Sequence, residues 1–143
     1  MLSNTSKYAI RSVIYLSLNT GDGMKLGIKQ ISKDLKIPTP FLGKILQTLA
    51  KHKILSSTKG PHGGFGLGKK AEEIKLIDIV DIIDGEDIFK KCLIRLDNCS
   101  ETEPCSMHER YSVIRSQLHN LFQNQNISDL IHDIKEGKRK IVI

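Results

Sequence analysis

Two short helical segments broken by a proline and followed at once by a glycine-rich turn constrain this chain more than any other feature. Ile28, Ile31 and Leu35 recur at helical spacing. Ile37-Pro38 ends that run, because the residue before a proline is pushed out of the helical region. Thr39-Pro40 then opens a new helix, with Thr39 expected at the N-cap and Pro40 as the first helical residue. Phe41, Leu42, Ile45, Leu46 and Leu49 form one broad apolar stripe, and Gly43, Lys44, Gln47, Thr48 and Lys51 occupy the opposite face. Two short helices joined by a few residues, the second with a polar, basic face, make a helix-turn-helix pattern. Residues 54–58 are short and able to extend, Lys59-Gly60-Pro61-His62-Gly63-Gly64 is a turn by composition, and Phe65-Gly66-Leu67 can return as a second strand. A β-hairpin directly after the second helix of such a pair is a wing.

The rest of the chain is consistent with a helical protein. Tyr8, Ile10, Val13, Ile14 and Leu18 predict a first helix over 4–18, and Gly21-Asp22-Gly23 a loop. Residues 74–84 read as an amphipathic helix closed by Gly85 as a C′ residue. Residues 86–104 show no clear period. Met107, Tyr111, Ile114, Leu118 and Leu121 follow in steps of four and three, the rhythm of a helix packing on a partner helix. Ser128 is expected to cap a last helix carrying Leu130, Ile131 and Ile134 and closed by Gly137, with Lys138-Arg139-Lys140 frayed beyond it. The expected fold is mainly α with a small β-hairpin. It divides into a winged helix-turn-helix DNA-binding domain (1–85), a cysteine-bearing loop (86–106), and a dimerisation helix with a C-terminal helix (107–143).

Charge supports a polyanionic partner. Of the chain's Lys and Arg residues, 13 lie in residues 1–75 against 4 acids, whereas residues 76–143 carry 9 against 12. Ten lysines and the single acid Asp34 lie between Lys25 and Lys70. A basic half joined to a mildly acidic half points to one face for a nucleic acid and another for a different task. A helix with short polar residues near its start fits the major groove, about 12 Å wide. Thr39, Pro40 and Gly43 would border that approach. Gln47 and Thr48 would reach base edges, and Lys44 and Lys51 bases or phosphates. Lys59, Gly60, His62 and Gly63 would meet the backbone from the wing. No apolar run is long enough to span a bilayer, and the N-terminus lacks a secretory pattern, so the expected location is the cytoplasm, with no membrane partner.

Residues 63–70 nearly match a phosphate-binding loop, but Lys70 stands where magnesium needs Ser or Thr, and no alternation of strands and helices surrounds it. Nucleotide hydrolysis is therefore rejected. No ordered nucleophile–base pair is visible, and an enzyme is not expected. Cys92, Cys99, Cys105 and His108, spaced C-x6-C-x5-C-x2-H, are the second chemical signal. Thiolates and imidazole suit zinc or an iron–sulfur cluster. The spacing departs from the two close pairs of ordinary zinc fingers, and unligated thiols stay open. His52, His119 and His132 read as ordinary surface or helix residues.

Taken together, Ser6-Lys7-Tyr8-Ala9-Ile10-Arg11, residues 31–55, Lys59-Gly60-Pro61-His62-Gly63-Gly64-Phe65, and Glu73-Ile74-Lys75-Leu76-Ile77-Asp78-Ile79-Val80 with Gly85 resemble the IscR/NsrR/CymR-type family of bacterial winged-helix transcription regulators. The resemblance covers nearly the whole chain. It implies a homodimer whose long helix crosses its mate's, a palindromic duplex operator, and a 2Fe–2S cluster held by Cys92, Cys99, Cys105 and His108. Zinc is the alternative metal, and a bare-thiol or partner-controlled regulator without a cluster is the alternative function. Family members of the NsrR type draw an aspartate from the first helix. The matching position here is Lys7, which as an ammonium cannot ligate, so the IscR-type ligand set is favoured. Three departures stand out. The first Cys–Cys gap is one residue longer than in IscR-type members. Lys59 replaces the wing arginine and lacks its bidentate fork. Gly43 stands where a recognition-helix glutamate governs site choice in IscR.

Overall fold

The computed structural model describes residues 2–21 and 23–137, so the predicted Lys138-Arg139-Lys140 tail lies outside the described residues. Six α-helices and one hairpin follow in the order α1 (Asn4–Asn19), α2 (Ile28–Leu35), α3 (Thr39–Lys51), β1 (Leu55–Thr58), β2 (Gly64–Leu67), α4 (Leu76–Asp84), α5 (His108–Asn124) and α6 (Ile127–Lys135). The mainly α, winged helix-turn-helix expectation is met.

Helix α1 is the axle. Ala9, Val13 and Leu16 are fully buried, and α2, α3, α4, α6 and the hairpin all pack around α1. Ser3 caps it, accepting from the Ser6 amide at 3.0 Å. The same Ser3 ties α1 to the end of α4, its amide donating to Asp84 Oδ2 at 3.0 Å and its hydroxyl to Asp84 Oδ1. Burial alone would raise the Asp84 carboxyl; hydrogen bonds from Ser3, with smaller help from Ser6 and the Lys91 charge, together outweigh it and hold the group below the usual carboxylate range. Gly85, at φ 86°, ends α4 with its N–H on the Asp81 carbonyl.

Two predicted caps are corrected. Helix α3 starts one residue early: Pro38 is the N-cap, Thr39 is already helical, and the Thr39 hydroxyl donates instead to Ser32 Oγ at 3.0 Å. Ser32 in turn donates to the Ile37 carbonyl, so the turn between α2 and α3 satisfies itself internally. Helix α6 is capped by Asn126, not Ser128. The Asn126 side chain accepts from the Asp129 amide at 2.9 Å and Asp129 returns the contact at 3.2 Å.

The last helix returns to the first-half core. The Ile127 amide donates to the Ile74 carbonyl, the Leu76 amide to the Gln125 carbonyl, and Ile127 and Ile131 join the buried cluster around α1. Residues 86–104, which show no sequence period, begin with a single 3₁₀ turn (Glu86–Phe89). Phe89 is buried there, its ring centroid 5.6 Å from that of Phe122 on α5 and 5.3 Å from that of His119. No described helix is long and apolar enough to cross a membrane.

Candidate nucleic-acid interface and cysteine cluster

Four apolar positions of α3 fix its orientation. Leu42, Ile45, Leu46 and Leu49 are at most 3% exposed, which turns Pro40, Lys44, Gln47 and Lys51 into solvent. Phe41, expected in the apolar stripe, sits on its margin instead, 40% exposed, with its ring edge-on to Tyr8 at 5.8 Å. Thr48 is half-buried and its hydroxyl donates to the Lys44 carbonyl at 2.7 Å, so only its acceptor capacity faces outward. Gly43, expected at the groove, also faces α2. A Cβ there would lie 3.2 Å from Ile28 Cδ1, so its lack of a side chain lets α2 and α3 approach each other. Thr39, expected at the groove, is half-buried and engaged with Ser32.

The wing is held by more than its own two strands. The pairing Leu55–Leu67, Ser57–Phe65 and Thr58–Gly64 is antiparallel, and Leu26 adds a third rung by exchanging both backbone hydrogen bonds with Phe65, at 2.9 and 2.8 Å. A Cβ on Gly64 would stand 2.3 Å from the Leu26 carbonyl oxygen, and one on Gly63 would stand 2.1 Å from that of Thr58. Gly60 takes φ 107° at the tip. Lys59, Gly60 and His62 are exposed and Gly63 is half-buried. Two cations missed as individual site residues join them. Lys25, beside the Leu26 rung, donates to Thr58 Oγ1, and exposed Lys29 lines the open groove between α2 and the wing along with Gly27, Pro61 and Gly64. Their signal in the sequence was the lysine run itself; nothing local marked them as neighbours of a hairpin thirty residues later.

The cysteine segment folds into a small hairpin. Lys91 and Asn98 form an antiparallel bridge, the Cys92 amide donates to the Asp97 carbonyl and the Cys99 amide to the Lys90 carbonyl. Arg95 at its tip forks onto Asp97 at 3.0 and 2.9 Å and reaches the Glu103 carbonyl at 3.2 Å, which draws the Cys105 segment alongside. The His108 amide donates to the Cys105 carbonyl, and His108 is the first residue of α5. The four predicted ligands lie as two couples. Cys92 Sγ and Cys105 Sγ are 3.4 Å apart, and Cys99 Sγ lies 3.0 Å from His108 Nδ1. Two sulfurs on one tetrahedral metal, with bonds of about 2.3 Å, stand roughly 3.8 Å apart. Each couple is thus near the bite of one metal atom. Among the described residues, no group of three or more His, Cys, Asp and Glu side chains is arranged around a single ion. Three thiols and an imidazole suit zinc and an iron–sulfur cluster alike, and the arrangement as two separate couples is compatible with two metal atoms. The amides of Arg95 and Ile94 pull the Cys92 thiol down to about 7, with smaller help from Cys105 and Cys99 and against some burial.

The three remaining histidines are where the sequence placed them. His52 Nδ1 meets the Thr48 carbonyl at 3.0 Å, His119 lies against Phe89, and His132 pairs with Glu136 at 3.1 Å.

Comparison with known proteins bears on the family and the fold. The model of the Rrf2 family, described as iron-dependent transcriptional regulators, matches residues 2–133. A protein of Aquifex aeolicus named as a candidate HTH-type transcriptional regulator is 35% identical over 134 residues, covering 92% of each chain. The HTH-type transcriptional regulator IscR of an Escherichia coli strain (O1:K1 / APEC) is 24% identical, covering 92% of this chain and 80% of that one. Among solved structures, CymR of B. subtilis, titled the global cysteine regulator of that organism, superposes with a TM-score of 0.74 at 22% identity, over 91% of this chain and 95% of that one. The IscR of T. potens also reaches 0.74, at 18% identity, over 99% of this chain and 93% of that one.

Proposed function

Because the chain belongs to the Rrf2 family of transcriptional regulators, we propose that it is a cytoplasmic DNA-binding sensor whose Cys92, Cys99, Cys105 and His108 hold a 2Fe–2S cluster. The observation that carries this reading is the convergence of three thiols and one imidazole, as two couples, at the start of α5. When bound, the cluster supplies a one-electron redox centre and a target for small oxidants. The chain's own residues supply the linkage. His108 is both a donor and the first residue of α5, so whatever fixes its imidazole also fixes the entry of that helix.

Helix α5 is the proposed dimer element. Of the predicted seam, Met107, Tyr111 and Leu118 are half-buried within the protomer, while Ile114 and Leu121 remain 60% and 53% exposed along one edge. A second copy is the proposed cover for that edge, as leaving such side chains in water forfeits about 25 cal/mol per Å² of apolar surface. Two recognition helices related by a two-fold axis call for a palindromic operator with half-sites about 34–36 Å apart, or a multiple of that. In this reading residues 1–85 bind DNA, 86–106 carry the cluster and 107–143 bring the copies together, with α6 docked back on α1. On the DNA face, Pro40, Lys44, Gln47, Thr48 and Lys51 approach the major groove, and Lys59, Gly60, His62, Lys25 and Lys29 the flanking backbone. Gly43 and Gly63 shape the face from within.

Anaerobic purification with iron, sulfide and zinc analysis tests the reading. The expected result is two irons and two sulfides per chain. One zinc without sulfide would overturn it. A chain without metal would favour the second reading, a bare-thiol regulator of the same family.

A further inference from the structure

We propose that Cys92 and Cys105 are an oxidant-modified pair: in the metal-free chain they close a reversible disulfide that blocks loading of the site. Their sulfurs are in direct contact at 3.4 Å. A disulfide requires about 2.05 Å, so the pair must close by a little over 1 Å. The structure lets it. Cys92 is fixed on the hairpin by its bond to the Asp97 carbonyl, but Cys105 lies in the stretch between Cys99 and α5, which has neither helix nor strand. That stretch is tied at Glu103 by Arg95, by short Ser100 contacts, and at the Cys105 carbonyl by the His108 amide. With its carbonyl held by His108, Cys105 closes the gap by rotating its side chain, with small shifts of a stretch that has no helix or strand to break.

Geometry also selects this pair among three. Cys99, the remaining cysteine, is engaged by His108 Nδ1 at 3.0 Å. Both sulfurs of the selected pair lie in half-buried residues, and Leu93, Ile94 and Leu96 beside Cys92 are exposed, so a small oxidant reaches them from solvent.

The oxidant is a hydroperoxide, hydrogen peroxide in the simplest case. One thiolate sulfur attacks the O–O bond, becomes a sulfenic acid and releases hydroxide, which takes up a proton to leave as water. The second sulfur then attacks the first, forms the S–S bond and displaces the other oxygen as water. Two thiols and one peroxide thus give one disulfide and two waters, and a dithiol reverses the bond by exchange. The disulfide removes the whole Cys92–Cys105 couple, leaving Cys99 and His108 alone. The bond itself is independent of the cluster reading; the block on loading rests on it.

The chain is stripped of metal with a chelator, treated with hydrogen peroxide at one equivalent, and alkylated. Trypsin at Arg95 together with a glutamyl protease at Glu101 places each cysteine on its own peptide. Mass spectrometry should show the Cys92 and Cys105 peptides linked, two hydrogens lighter, and Cys99 alkylated. Cys99→Ser should form the same link, and Cys105→Ser should instead leave a sulfenic acid on Cys92 that dimedone traps, with the fold of each variant checked by circular dichroism. Iron and sulfide incorporation into the peroxide-treated parent should fall to background and recover with dithiothreitol. A predominant link involving Cys99, an even mixture of all three links, or links only between chains would overturn the proposal. A Cys92–Cys105 link in a chain that never takes up iron when reduced would defeat the cluster reading and leave the modified pair standing. Efficient cluster loading with no such link would do the reverse.

Discussion

Replacing Gly64 by alanine separates two reasons for a glycine-rich wing. One is close approach to DNA; the other is close approach of the chain to itself. In the structure the added Cβ would lie 2.3 Å from the Leu26 carbonyl oxygen, 2.6 Å from its carbon and 3.0 Å from the Gly27 nitrogen, all of them backbone atoms that cannot rotate away. Restoring an ordinary contact would move the Leu26 strand by about 1 Å. The two Leu26–Phe65 hydrogen bonds, now 2.9 and 2.8 Å, would then exceed the range in which such bonds count. Two lost bonds at roughly 0.5–1.5 kcal/mol each predict a destabilisation of about 1–3 kcal/mol, before any loosening of buried Phe65. Urea unfolding at fixed chain concentration measures it, because any dimer makes the midpoint depend on that concentration. Gly27→Ser is the control. Gly27 caps α2 without a side-chain bond and has open space around its Cβ position, so serine should change stability by only a few tenths of a kcal/mol. A Gly64→Ala chain within about 0.5 kcal/mol of the parent would refute the Leu26 rung and return the wing glycines to a DNA role alone.

Other expectations follow from the same physics. Lys36 ends α2 in the left-handed region, at φ 55°, where a side chain costs about 1–2 kcal/mol, so Lys36→Gly should be neutral or stabilising and Lys36→Val destabilising in a thermal melt. Burial and the bond to Asp34 push the Tyr15 hydroxyl up to about 12. Its folded value exceeds its unfolded one, so its contribution is complete below about pH 10 and is lost as the pH rises through about 12. A phenolate titration should show a last step near that pH that Tyr15→Phe removes, and persistence of the step in the variant would reject the assignment. Lys25→Ala and Lys59→Ala should each weaken binding to every duplex and reduce the log–log salt slope by about 0.9, while Gln47→Ala should alter preference among sequences; parental slopes in both lysine variants would move the docking face elsewhere.

Legibility differed from element to element. Helix α3 was readable because five apolar residues and a proline speak within thirteen positions. The wing was readable because Gly and Pro set unusual backbone angles locally. The four donors near Cys92 were readable as chemistry, by residue type, but their pairing was not. It depends on Arg95 reaching across eight residues to Glu103 and on the Lys91–Asn98 bridge, neither of which has a periodic signature. The caps at Thr39 and Ser128 failed because neighbouring residues competed for the same role, and the winners, Pro38 and Asn126, are set by where the preceding chain enters.

What the sequence determined alone is therefore what short-range physics enforces: where helices start and stop to within a residue or two, which face of each is apolar, which half is basic, and which side chains can ligate. What only the tertiary structure decided is which distant segments share a surface. Gly43 serves Ile28 of another helix, Gly64 serves Leu26 nearly forty residues away, and α6 closes on α1. Lys25 joins the wing, and Cys92 Sγ meets Cys105 Sγ at 3.4 Å. These contacts carry no local pattern, because a close-packed interior rewards complementarity of shape, and shape exists only once the chain has been brought together.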